Sequence, residues 1–173
     1  LKYFCNAHNT MVGDINVVAV VSQPEPNTNS SFTNTSDQTV EDNITGTVDY
    51  KDIFAGKTVN GISYPSIDNL KEAVIGSGIT ELDTLCFQNA TNLSTIDFTN
   101  ATGLTTIKGN CFVDCSSLTT IDLTNATGLI ELNSYIFNRC SNLTSVILGA
   151  SIQTIWTGIF NYCTSLSSVV FNN

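Results

Sequence analysis

Charge is scarce in this chain. Only 12% of its 173 residues are charged, against a usual quarter or so, and Asn, Thr and Ser take the polar share instead. That trade is commoner in secreted and surface proteins. Bases are scarcer still: 6 Lys and Arg stand against 15 Asp and Glu, and the net charge of -9 argues against nucleic acid or an anionic membrane as partner. Long apolar runs are missing as well. The longest, around residues 15–21, reads as a strand and falls far short of the roughly 18 residues of a membrane-spanning helix, so no membrane insertion is expected.

The residues of active sites are thin too. His8 is the only histidine, G-x-S-x-G and phosphate-loop motifs are absent, and the carboxylates do not converge in sequence, so neither an enzyme nor a cofactor site is expected. No Cys-x-x-Cys pair is present, which excludes zinc of the finger type; Cys5 and His8 alone are two ligands without partners. Eight N-x-[ST] matches begin at Asn29, Asn34, Asn43, Asn89, Asn92, Asn100, Asn125 and Asn142. In so Asn- and Thr-rich a chain most arise by chance, and glycosylation is only a weak expectation.

What the chain does have is repetition. The stretches 93-LSTIDFTNATGLTTIKGNCFVDCSS-117 and 118-LTTIDLTNATGLIELNSYIFNRCSN-142 coincide at nearly every apolar position. The frame extends back to Leu70 and forward to Leu143 and Leu166, so the lead leucines stand 23, 25, 25 and 23 residues apart. Equivalent side chains of a solenoid stack into a core that no single unit could close. The columns that would form it are the lead leucines; Ala73, Ile96, Ile121, Val146, Val169; Ile75, Phe98, Leu123, Leu148, Phe171; Ile79, Leu104, Leu129, Ile152; Leu82, Ile107, Leu132, Ile155; Phe87, Phe112, Phe137, Phe160; and Ala90, Cys115, Cys140, Cys163. The two-residue difference in length falls in the turns, where Asn100-Ala101-Thr102-Gly103 and Asn125-Ala126-Thr127-Gly128 replace shorter Gly-containing links. Within a unit, L-x-x-I-x-L predicts a short strand with one buried face, and I-x(4)-F-x-x-C a second extended or short helical arc.

These residues resemble the BspA-type leucine-rich repeats of microbial surface proteins, whose unit reads approximately L-x-x-I-x-L-P-x-x-L-x-x-I-x-x-x-A-F-x-x-C. Leu118, Ile121, Leu123, Leu129, Leu132, Phe137 and Cys140 show the frame, and the resemblance spans residues 70–173. The repeat proline is absent, with Thr99, Thr124 and Gly149 near its place, and the small residue before Phe is Cys86, Cys111, Ile136 or Ile159. The resemblance implies a β-rich solenoid of about four and a half units. It also implies display on or outside a microbial cell, a part in adhesion or assembly, and no catalytic residues.

Residues 1–69 stand outside the repeat. Residues 1–46 read as an N-terminal strand and a polar Asn/Thr/Ser-rich tract with linker composition, and residues 47–69, carrying Tyr50, Ile53, Phe54, Ile62, Tyr64 and Ile67, as an N-terminal cap or irregular first unit.

Several residues are candidates for function. Cys115, Cys140 and Cys163 share a column and read first as small buried hydrophobes; alternatively, coils roughly 5 Å apart allow disulfides Cys86–Cys111 and Cys115–Cys140. That pairing leaves Cys5 and Cys163 for a bond between successive subunits. Asp97 and Asp122 stack on the exposed strand face and are a weak calcium candidate, two solvated carboxylates being the plainer reading. Trp156 stands where other units carry Asp83, Lys108 and Asn133, and reads either as an interface residue or as a ring folded over the coil edge.

The chain starts at Leu1, as a mature or trimmed form would, and a natural end at 173 would expose Leu166, Val169 and Phe171 on an uncovered coil. The simplest cover is another copy presenting its N-terminal segment, which repeated would build a head-to-tail filament, sheath or surface layer. The other expectation is a secreted or cell-surface binding module that recognises a host or neighbouring-cell protein or glycan through its repeat face and Trp156.

Overall fold

The computed structural model describes residues 30–34, 39–42, 46–48, 57–59, 62–64 and 67–172. Cys5, His8, residues 15–21, Tyr50, Ile53 and Phe54 lie outside the described residues.

Nine short strands build the solenoid, two to a coil until the last. Those opening the coils are β6 (Leu70–Val74), β8 (Thr95–Asp97), β10 (Thr120–Asp122), β12 (Ser145–Leu148) and β14 (Ser168–Phe171). The second strands are β7 (Ile79–Leu82), β9 (Thr106–Ile107), β11 (Glu131–Leu132) and β13 (Thr154–Ile155). Pairing between coils is parallel and follows the sequence columns: Ala73 stands opposite Ile96, Ile121 opposite Val146, Val146 opposite Val169, and Leu132 opposite Ile155. The coil therefore alternates a strand, a turn, a second strand and an arc.

That arc is neither strand nor helix. It is a run of tight turns in which the amides of Ala90, Cys115, Cys140 and Cys163 donate to the carbonyls of Phe87, Phe112, Phe137 and Phe160, three residues earlier. Between those bonds other amides reach the next coil, as Phe87 does to Cys111 (2.8 Å) and Phe112 to Ile136 (2.9 Å). The first three arcs bury their Phe fully, and the fourth leaves Phe160 half-buried. The rings of Phe87, Phe112, Phe137 and Phe160 stack nearly parallel at centroid spacings of 5.0, 5.4 and 5.9 Å, and Phe98 meets Phe112 edge-on at 6.5 Å. Around this spine the lead leucines through Leu143 and the inner Ile79, Leu82, Leu104, Ile107, Leu129 and Leu132 are fully buried. Ile152 is half-buried, and Ile155, expected in the same core, is 43% exposed because no further described strand packs on β13.

The first coil is covered from its own N-terminal side. Strand β1 (Ser30–Asn34) pairs antiparallel with β6 and carries β2 (Thr39–Asp42) on its other edge. Phe32, 2% exposed, sits opposite Ala73, and the Ser30 hydroxyl accepts the Gly76 amide at 3.0 Å. Strand β3 (Gly46–Val48) runs parallel beside β7. The remaining pair, β4 (Lys57–Val59) and β5 (Ile62–Tyr64), forms an antiparallel hairpin ahead of a 3-10 turn at Ile67–Asn69. Part of the polar tract thus supplies strands to the solenoid. Its hydrophilic composition is compatible with that, because an edge strand needs backbone hydrogen bonds and only alternate apolar contacts.

Candidate functional site

The hydroxyl-bearing column at the start of each coil holds the coils together. Ser94 Oγ donates to the Lys71 carbonyl (3.2 Å), Thr144 Oγ1 to that of Thr119 (3.0 Å) and Ser167 Oγ to that of Thr144 (3.1 Å). Asp97 and Asp122 are similarly engaged, each accepting with Oδ1 the amide two residues on, from Thr99 (2.7 Å) and Thr124 (2.9 Å). The carboxylates thereby cap the turns that follow the strands. Among the described residues no group of three or more His, Cys, Asp or Glu side chains is placed to hold a metal ion.

The cysteines of the repeat are free thiols, so the disulfides considered between Cys86 and Cys111 and between Cys115 and Cys140 are not formed in this structure. In the second column, Cys115, Cys140 and Cys163 instead donate from Sγ to the carbonyls of Phe87, Phe112 and Phe137 at 3.1, 3.1 and 3.0 Å. Each thiol fills the space between coils and satisfies a carbonyl of the preceding arc.

Burial pushes the thiols of Cys111 and Cys115 well above the ordinary 9.0, helped by hydrogen bonds with Cys86 and Cys140 respectively. The half-buried Cys163 is raised to about 11, again by burial and then by the neighbouring Cys140. Folded thiols thus hold their protons more tightly than unfolded ones. Their contribution to stability is complete below pH 9 and falls as the pH rises through the folded values, because only the unfolded chain loses protons in that window. Urea unfolding midpoints are expected to decline from pH 9 to 11 in the parent chain and to decline less in Cys163→Ala; equal slopes would contradict the assignment.

Exposed aromatic side chains and the only arginine gather elsewhere, on the last two full coils. Trp156, the only tryptophan, is 54% exposed, and its indole Nε1 donates to Glu131 Oε2 of the coil below at 3.1 Å. Tyr135 and Tyr162 are 38% and 65% exposed. Arg139, the only arginine, lies with its guanidinium carbon 5.8 Å from the centre of the Tyr162 ring and its Nη1 3.9 Å from Asp114 Oδ1. Gly158 makes room for this group: a Cβ there would lie 2.7 Å from Cδ1 of Tyr135.

The backbone under these side chains is unusual. Leu85, Asn110, Tyr135 and Gly158 share one left-handed position of the arc, with φ of 62°, 60°, 59° and 66°; Asn89, Asp114, Arg139 and Tyr162 share another, at 62°, 62°, 62° and 58°. Glycine and asparagine suit such sites, whereas a residue with an ordinary Cβ costs roughly 1–2 kcal/mol there. Leu85, exposed and outside the aromatic group, isolates that cost. Leu85→Gly is expected to raise stability by about 0.5–1 kcal/mol, since relief of the left-handed penalty exceeds the added chain entropy. A lowered urea midpoint would show that Leu85 holds the arc through contacts instead.

Sequence comparison converges on the same repeat. The family described as the BspA type leucine rich repeat region matches residues 57–173 in six copies. The chain belongs to that family. This BspA-type match begins at residue 57, earlier than the frame set by the leucine columns. Comparison with curated protein sequences gives no match. Among solved structures, the chain is similar to the leucine-rich repeat protein of T. pallidum, with 27% identity over 59% of this chain and 46% of that one and a TM-score of 0.54. It is also similar to a leucine-rich repeat protein from Eubacterium ventriosum (20% identity, 78% and 39% covered, TM-score 0.46) and to a leucine-rich cell surface protein from Faecalibacterium prausnitzii (17%, 83% and 53%, 0.33). The chain spans less than two thirds of the length of each.

Within the BspA-type frame the residues first considered for function are scattered. Trp156 stands at the outer end of β13, Cys163 is half-buried under the last arc, and Leu166, Val169 and Phe171 line the final coil, the last at 56% exposure. Tyr135, Arg139 and Tyr162 were not singled out from the sequence. They fill outward columns that no hydrophobic period marks, though their chemistry breaks the run of Leu85 and Asn110, and of Asn89 and Asp114, in the earlier coils.

Proposed function

We propose that this chain is a non-enzymatic binding or adhesion module of a secreted or cell-surface protein. The family carries the general reading, and the exposed aromatic group on the last two coils carries it to a surface. Trp, Tyr and Arg are the residues most enriched where interfaces hold their energy. Here the only tryptophan and only arginine share the last two full coils with two exposed tyrosines, on turns braced by bonds between coils. Among the described residues no helix is long and apolar enough to cross a membrane. The chain is expected to bind a mucin-coated surface in biolayer interferometry, with Trp156→Ala weakening binding about tenfold. Binding no stronger than to an albumin-coated surface would end this reading.

A second reading, head-to-tail assembly of copies, draws on Val169 and Phe171, exposed on β14 with one edge unpaired among the described strands. The position of β1 constrains it. Since β1 pairs with β6 of the same chain, an incoming copy would meet the outer edge of β2 and not the core of the first coil. Light scattering after size exclusion separates the readings: polymers support assembly, and a single species near 18.6 kDa excludes it.

A further inference from the structure

We propose that the corner formed by Tyr135, Arg139 and Tyr162, on the coils that also carry Trp156, binds a neutral oligosaccharide; this rests on the binding-module reading and names the ligand class of that surface. Arg139, the only arginine of the chain, already lies between the Asp114 carboxylate and the Tyr162 ring. An anionic ligand therefore finds no cation without a partner at this corner. The chain's net charge of -9 further opposes anionic polymers.

What the corner offers instead is three exposed aromatic rings flanked by uncharged amides and hydroxyls, among them Asn161 and Thr157. A sugar ring is the matching object. One face carries C–H groups that pack on an aromatic plane, while its rim carries hydroxyls that exchange hydrogen bonds with amides.

The Tyr135 amide donates to the Thr157 carbonyl at 3.1 Å and the Arg139 amide to that of Asn161 at 2.8 Å, so adjacent coils fix the turns that carry the rings. Gly158, lacking a side chain, leaves room for the Tyr135 ring to lie across the upper coil. Little order remains to be imposed on binding. Tyr135, Arg139 and Tyr162 occupy left-handed positions that local physics would assign to glycine or asparagine, and strained placements of this kind point to a role beyond the fold.

Trp156 makes the test direct, because it is the sole indole and immediately precedes Thr157, whose carbonyl accepts the Tyr135 amide. The 173-residue chain is titrated with cellohexaose, chitohexaose and maltohexaose while its tryptophan emission is followed. At least one sugar is expected to give a saturable change, and Tyr162→Gly to weaken that binding about tenfold while its thermal midpoint stays equal or rises, since glycine suits the left-handed turn. Gly158→Ala, which displaces the Tyr135 ring, is expected to weaken it as well.

The proposal is overturned if none of the three sugars gives a saturable response, if Tyr162→Gly binds as the parent does, or if dextran sulfate binds more tightly than all three. Loss of the saccharide response while mucin still binds equally after enzymatic deglycosylation would leave the module reading standing, with a protein partner. Loss of both would end both.

Discussion

Phe112→Ala is expected to lower the stability of the solenoid by about 3–5 kcal/mol, the range for deleting a buried aromatic ring from a packed core. Phe112 is fully buried between Phe87 and Phe137 at 5.0 and 5.4 Å, and Phe98 meets it edge-on. Truncation removes two stacking partners and one edge contact and leaves a cavity in the middle of the spine. In a solenoid each coil contacts only its neighbours, so a defect there uncouples the coils on either side. Urea unfolding followed by circular dichroism should show a lower midpoint and a broadened or two-step transition. Phe160→Ala is the internal control. Its ring is half-buried with one stacking neighbour, at 5.9 Å, so its loss should be less than half as large. Similar losses from the two variants would show that the Phe column is not the structural spine.

The columns that predict this result were legible in the sequence because burial repeats with the period of the coil. Leu93, Ile96 and Phe98 return as Leu118, Ile121 and Leu123, and parallel pairing keeps each above its equivalent. The cover on the first coil was not legible. Residues 30–34 read S-S-F-T-N, with one apolar residue and no alternation long enough to mark a strand. Their conformation comes from the edge of β6, which supplies hydrogen-bonding partners whatever the side chains are. The arcs were half legible for a related reason. Their inward Phe and Cys residues are periodic, but a turn announces itself through Gly or Asn at its left-handed position, and Leu85, Tyr135, Arg139 and Tyr162 give no such signal. The aromatic corner sits at those silent positions. Trp156 alone was found, because a unique aromatic residue in a column of polar ones is visible without knowing the backbone.

The glycines of the two Asn-Ala-Thr-Gly turns should differ sharply although their local sequences are identical. A Cβ on Gly103 would collide with the Ser77 carbonyl oxygen of the preceding coil and stand 3.4 Å from that of Ile79. Both obstacles are backbone, and neither can rotate away. A Cβ on Gly128 would meet a Thr105 methyl at 3.0 Å and the Leu104 carbonyl oxygen at 3.2 Å, tight contacts of which the first belongs to a movable side chain. The difference traces to coil length. Gly128 stacks a 25-residue unit on another of 25, turn upon like turn, whereas Gly103 sets the longer turn on the shorter link of a 23-residue unit. Gly149 marks the reverse junction, where the unit shortens again, and its Cβ would lie 2.7 Å from the Leu123 carbonyl oxygen. Gly103→Ala is therefore expected to cost about 1–3 kcal/mol, as overpacking against unyielding neighbours does, and Gly149→Ala a comparable amount. Gly128→Ala should be close to neutral, its tight contact offset by the entropy that alanine removes from the unfolded chain. Thermal and urea midpoints of the three variants decide the point. If Gly128→Ala loses as much as Gly103→Ala, the glycines serve the turn itself, and the junction between unlike coils is not what requires them.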